Sequence, residues 1–328
     1  MDITSVVEVD DLNKKFKNFE LSIDEFKIPE GFATALIGEN GAGKSTFINI
    51  LAGISRDYIG DIKFYDGSIA EKELRESIGY TGTDCYFLPH WTVKDVETVS
   101  GILFDGFHED RYRKLCDDMN ITERDKAFSK LSDGMKMKTI LSAVFARDTK
   151  LLLLDEPASP LDPLMRDKLC GMIREYIDEG NGEKSVLFST HNIADMENVT
   201  DYAVIIEQGR IVEQGFVEDL KEKYVLVKGE LDEEDAITAR ESGREGERSI
   251  RNDGNGIAEG NDRKGSSGMK IRDIAEQMLY SCTFSQYGFE GLCLSENLDK
   301  FAGMDIAVET PTLSQICVGV MKRYTVLK

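Results

Sequence analysis

Residues Gly38 to Thr46 read GENGAGKST. A short apolar run (Ala33, Ala35, Leu36, Ile37) precedes them, and a stretch with helical spacing (Phe47, Ile48, Ile50, Leu51) follows. A glycine-rich turn between strand and helix, closing on Gly43-Lys44-Ser45, is a phosphate-binding loop. It confines the chain to folds in which a buried parallel strand feeds a helix whose positive end meets an anion. The glycines let backbone amides turn inward around phosphate oxygens. In this reading Gly38, Glu39, Asn40, Gly41, Ala42, Gly43, Lys44, Ser45 and Thr46 form the nucleotide cradle. Lys44 reaches the β and γ phosphates, and Ser45 offers its hydroxyl to magnesium.

Further along, Leu151-Leu152-Leu153-Leu154-Asp155-Glu156 is an apolar strand ending in two acids. Asp155 is the expected holder of the magnesium shell. Glu156 is the expected group that orients and polarises the attacking water, a weak nucleophile at neutral pH. Ser185-Val186-Leu187-Phe188-Ser189-Thr190 is a second buried strand, and His191 stands at its end. A histidine there can bond the γ phosphate or the water. Leu131-Ser132-Asp133-Gly134-Met135 opens a helical stretch. Ser132 and the Gly134 amide form a second candidate anion site, an ordinary helix cap being the alternative. Phe16 is a candidate ring for stacking on adenine, with core packing as its alternative.

The fold class implied is α/β: strands alternate with helices around a phosphate loop, so the main sheet is parallel. The cassette runs from the first strand to about residue 228, with a mainly helical part at about 84–147. YAVIIEQGRIVEQG reads as two strands with a turn at Gln208-Gly209. Residues 229–269 are rich in glycine and charge and poor in apolar side chains, as a flexible linker is. Residues 270–328 read as a small α+β domain: a helix, two short strands (YGFEGLCLS and MDIAVET) and a final helix.

The net charge of −21 opposes a broad nucleic-acid surface, which would need Lys and Arg to neutralise phosphates. No apolar run reaches the roughly 18 residues of a membrane span. The acidic start lacks the pattern of a signal peptide. The six cysteines are scattered without a CxxC, consistent with reduced thiols and not with a zinc site.

Taken together, the ordered set GENGAGKST, LSDGM (131–135), LLLLDEP (151–157), SPLD (159–162) and STH ending at His191 resembles the ATP-binding subunits of ABC transporters. The resemblance covers residues 3 to about 228. It implies two cassettes sandwiching two ATP molecules head to tail. The phosphate loop, Asp155, Glu156 and His191 would come from one subunit, and Ser132 and Gly134 from its partner. Asp162 would lie in the loop joining the two sites. ATP and Mg2+ are the implied ligands. The implied partners are a second ABC ATPase subunit and multispan permease subunits, with the cassette peripheral on the cytoplasmic side of the membrane. The signature departs from LSGGQ at Asp133 and Met135. Thr83 stands where the family has a glutamine that contacts the metal, and Asp84 offers an alternative oxygen. LPHWTVKDV (88–96) and the tail resemble the bacterial ABC-2-type exporter branch. The alternatives are a non-transport ABC ATPase acting on ribosomes or nucleic acid, and a regulatory partner in an asymmetric heterodimer.

Overall fold

The computed structural model describes residues 4–67, 71–82, 87–230, 271–285 and 288–326. These residues form two compact units, divided between Glu218 and Asp219.

In the first unit β1 (Ser5–Lys15), β2 (Glu20–Pro29) and, further on, β4 (Ile59–Phe64) form an antiparallel sheet in the order β2-β1-β4. Between them come β3 (Ala33–Ile37) and α1 (Lys44–Leu51). Next are α2 (Glu71–Ser77), β5 (Ile78–Thr81), and the helices α3 (Val93–Leu103), α4 (Glu109–Asp118) and α5 (Asp133–Phe145). Then follow β6 (Leu151–Leu154), α6 (Pro163–Glu179), β7 (Ser185–Thr190), β8 (Tyr202–Glu207) and β9 (Arg210–Phe216); α7 (Val217–Lys223) starts at the end of this unit and continues past the division. The main sheet has the order β5-β6-β7-β3-β8-β9. Its β5–β6, β6–β7, β7–β3 and β3–β8 pairs are parallel; the β8–β9 hairpin is antiparallel.

The apolar run of β6 follows from its position. It lies between β5 and β7, and all four leucines are fully buried, as in a parallel strand covered on both faces. The core between the two sheets gathers Val7, Val9, Leu12, Phe26, Phe47, Leu51, Leu153 and Leu187. Phe26 meets Phe47 edge to face at 4.7 Å, which locks the antiparallel sheet onto the helix after the phosphate loop. The β8–β9 turn falls at Gln208 and Gly209, both at positive φ, as a tight hairpin requires. In the helical part α3 starts with a capping box between Thr92 and Asp95, and the Ser132 side chain caps α5.

The second unit holds β10 (Tyr224–Gly229), α8 (Ile271–Met278), β11 (Tyr280–Ser285), β12 (Gly288–Leu294), β13 (Ile306–Glu309) and α9 (Leu313–Val326). The sheet order is β11-β12-β10-β13, antiparallel throughout. Val227, Ile274, Ala275, Phe289, Cys293 and Phe301 form its separate core. The sequence places the domain boundary after residue 228. The structure moves it to 218/219, because β10 pairs with β12 and β13. β11 is a further strand beyond the two expected. The expected linker falls almost wholly on 231–270, outside the described residues.

Candidate active site

β3, β6 and β7 run parallel, with β7 between the other two, so their carboxyl ends lie side by side. Ligand crevices of open α/β sheets form at such edges. β3 delivers the phosphate loop, β6 delivers Asp155 and Glu156, and β7 delivers Thr190 and His191.

The loop Gly38–Thr46 wraps from β3 into α1. Gly43 caps the helix at φ 111°, a left-handed conformation that glycine adopts without penalty. At Gly38 a Cβ would lie 2.3 Å from the Ile206 carbonyl oxygen, so only glycine fits. Lys44 is buried, and its ammonium donates to the carbonyls of Gly38 (2.8 Å) and Glu39 (3.1 Å). It also lies 3.3 Å from Glu156 Oε1. That oxygen has no hydrogen-bond donor although it is buried. A cation curled into its own loop beside a carboxylate oxygen that lacks a hydrogen bond among the described residues is a site able to receive polar atoms.

Asp155 is 1% exposed. Burial pushes its carboxyl up, opposed by hydrogen bonds from the Ser189 and Ser45 hydroxyls. Ser189 Oγ donates to Asp155 Oδ1 at 2.6 Å and accepts the Glu156 backbone N–H at 2.8 Å. It holds both acids in register. Sequence reasoning missed Ser189: it sits two residues before the conspicuous histidine, but its partners lie on another strand. Glu156 takes a positive φ of 48°, uncommon for a residue with a side chain. His191 Nδ1 lies 2.8 Å from Glu156 Oε2. An ionised carboxylate only accepts, so the imidazole N–H donates from Nδ1.

Phe16 sits in the turn between β1 and β2 and is not a core residue: it is 47% exposed, with the Lys14 ammonium 5.3 Å from its ring centre. Ser132 Oγ accepts the Met135 N–H at 3.3 Å, and Asp133 pairs with Lys136 at 3.0 Å. A Cβ on Gly134 would lie 2.9 Å from the Pro160 carbonyl, so the start of α5 abuts the loop after Glu156. A cavity of about 290 Å³ lies there, lined by Gly82, Asp133, Lys136, Asp155, Glu156 and Ser159 among others. Asp162 caps α6 through the Met165 N–H. Thr83 and Asp84 lie outside the described residues.

Among the described residues no three His, Cys, Asp or Glu side chains converge as a metal cage. The Ser45 hydroxyl lies close enough to the Asp155 carboxylate to lower its pKa, and both are hard oxygen donors. That small set fits Mg2+, which completes its shell with substrate phosphates and water.

A phosphate loop facing two strand-end acids and a histidine across a parallel sheet defines a P-loop nucleoside triphosphatase cassette. The ABC transporter family model matches residues 21–159. The uncharacterized ABC transporter ATP-binding protein YxlF of Bacillus subtilis is 32% identical over 66% of this chain and 73% of its own length. The uncharacterized ABC transporter ATP-binding protein sll0415 of Synechocystis is 29% identical over 69% of this chain, and the match spans only 65% of that relative. A solved ATP-binding subunit of an ABC transporter superposes with a TM-score of 0.58 at 26% identity, covering 66% of this chain and 92% of that one. The chain belongs to the ABC transporter family, as an ATP-binding cassette and an ATPase by class. The matches to these relatives cover about two thirds of the chain.

Proposed function

We propose that this protein hydrolyses ATP to drive a membrane transporter built with separate multispan subunits, working as an exporter. The observation that carries the hydrolytic reading is the convergence of Lys44, Asp155, Glu156, Ser189 and His191 at one sheet edge. Lys44 exchanges its loop carbonyls for the β and γ phosphates, and the loop amides hold the remaining oxygens. Ser45 and Asp155 hold Mg2+, which when bound neutralises phosphate charge. Glu156 orients the attacking water and draws on its proton. His191 fixes the Glu156 carboxylate and offers its other ring nitrogen to the γ phosphate or the water. Phe16, exposed at the edge of the unit, stacks on adenine. Ser132 and the Gly134 amide serve the ATP of a second cassette in a head-to-tail pair. Export is supported by the likeness of LPHWTVKDV to the ABC-2-type branch.

A second reading is favoured by Asp133. Its carboxylate is 86% exposed at the start of α5, paired with Lys136. An acid facing a partner's phosphates weakens closure, which suits an asymmetric pair with a more complete ATPase.

Tagged Glu156→Gln protein with ATP and Mg2+ tests both readings, in solution and on detergent-solubilised native membranes. We expect ATP to bind while phosphate release falls by about 10²-fold or more, and a multispan protein to copurify. A second ATPase in the same eluate selects the asymmetric pair. Recovery of ribosomal or other soluble partners alone rejects the transporter reading.

A further inference from the structure

Arg166 stands one turn into α6, and its guanidinium reaches backwards rather than outwards. Its Nε–H is shared between the carbonyls of Ala158 (3.2 Å) and Leu161 (2.9 Å). Its Nη1 donates to Asp195 Oδ2 at 2.6 Å. Both side chains are partly buried, at 27% and 28% exposure. The same Asp195 oxygen accepts from Asn192 Nδ2 at 2.9 Å, and the Asn192 backbone N–H is held by Thr190 Oγ1. Asn192 follows His191 directly, and His191 holds Glu156. At the other end, the loop that Arg166 grips presents the Pro160 carbonyl to Gly134.

We propose that Arg166 is a positioning residue that makes the 158–161 loop and the 191–195 segment move as one body. Pressure on the loop, from the start of α5 or from whatever closes over it, is thereby passed to His191 and so to Glu156. The planar fork is what permits this: two carbonyls on one side and a carboxylate on the other are met from fixed directions. A lysine has one ammonium and cannot span both. The proposal deepens the hydrolytic reading above and rests on it.

The full-length chain carries the test. Steady-state ATPase is measured for Arg166→Gln, Arg166→Lys, Asp195→Asn and the double variant Arg166→Gln/Asp195→Asn, with Arg111→Gln, a comparably buried arginine paired with Glu179 at the far end of α6, as control. We expect kcat to fall about tenfold in Arg166→Gln while KM for ATP stays within about twofold. Asp195→Asn should fall in the same direction, and the double variant should be no worse than Arg166→Gln, as for two members of one link. Arg166→Lys should recover only part of the loss. The ring signal of His191, one of three histidines, is followed by NMR in the same proteins. It should shift in Arg166→Gln and Asp195→Asn and hold still in Arg111→Gln. A kcat within twofold of the parent, a KM rising in step with the lost kcat, losses that multiply in the double variant, or an unmoved His191 signal would each overturn the proposal. Should Arg166→Gln fail to fold, Asp195→Asn leaves the arginine in place and decides by the same readouts. A parent protein without ATPase activity would reject the hydrolytic reading instead, and the His191 signal would still judge the link.

Discussion

Asp155 carries a cost that its neighbours only partly offset. Its carboxyl is raised by burial, so the fold favours the neutral form. The stabilisation from that form is complete below the unfolded pKa and is lost as pH rises through the folded one. Wherever that carboxyl is ionised, the protein holds a disfavoured charge. Asp155→Asn keeps an oxygen for Ser189 and cannot ionise. We expect it to raise the thermal midpoint at pH 7, through a stabilisation on the order of 1 kcal/mol, as active-site substitutions do. The gap should close on acidification as the parent's carboxyl protonates, while Mg2+-dependent phosphate release is lost. Scanning calorimetry across pH checks the first part. A gap independent of pH would mean that burial of the charge is not the cause.

At the scale of elements, the β8–β9 hairpin does more than turn the chain. Gly209 donates its N–H to the Ala42 carbonyl in the phosphate loop at 2.9 Å and accepts from Ser22 of β2 at 2.8 Å. Its φ is 78°, and a Cβ there would fall 2.0 Å from the Glu20 carbonyl oxygen. Gly209→Ala should cost about 2–3 kcal/mol and weaken ATP binding, although the residue touches no ligand in the proposed mechanism. Denaturant midpoints and nucleotide titration read the two effects separately. What the sequence made legible were elements whose signal is local. Gly38–Thr46 announces its turn and helix, the four leucines before Asp155 announce a doubly covered strand, and Gln208-Gly209 announces its hairpin. What it hid depends on distant partners. Ser189 matters through Asp155 and the backbone of Glu156, and Arg166 through Asp195, pairings no spacing records. For Phe16 the sequence leaves core packing open, which its exposure removes; its stacking on adenine is part of the proposal. β11 (YSCTFS) is too polar to stand out, and its place comes from pairing with β12. β10 (YVLVKG) is a short apolar run like any buried strand, and only its partners assign it to the second unit.

Across the whole molecule, two separate cores give two sets of stabilising contacts. Phe289 is buried in the core of the second unit. Phe289→Ala should destabilise that unit by about 3–5 kcal/mol. It should leave intact the rise in the other unit's midpoint produced by ATP, which follows from binding to the native state alone. Calorimetry with and without ATP tests this. A single transition that Phe289→Ala and ATP move together would show that the cores unfold as one.

The position of β10 also bears on how the chain is made. It lies inside its sheet, between β12 and β13, yet it leaves the ribosome well before either. Its backbone donors and acceptors must wait through the synthesis of everything up to Gly288 before a partner strand exists. A nascent chain paused or cut within that interval presents an unpaired strand, with Leu226 and Val227 on it, to any other strand in reach. Translation speed across that stretch, and chaperone cover during it, thus become determinants of yield. A nonsense mutation there should produce an aggregating fragment rather than a tidy cassette.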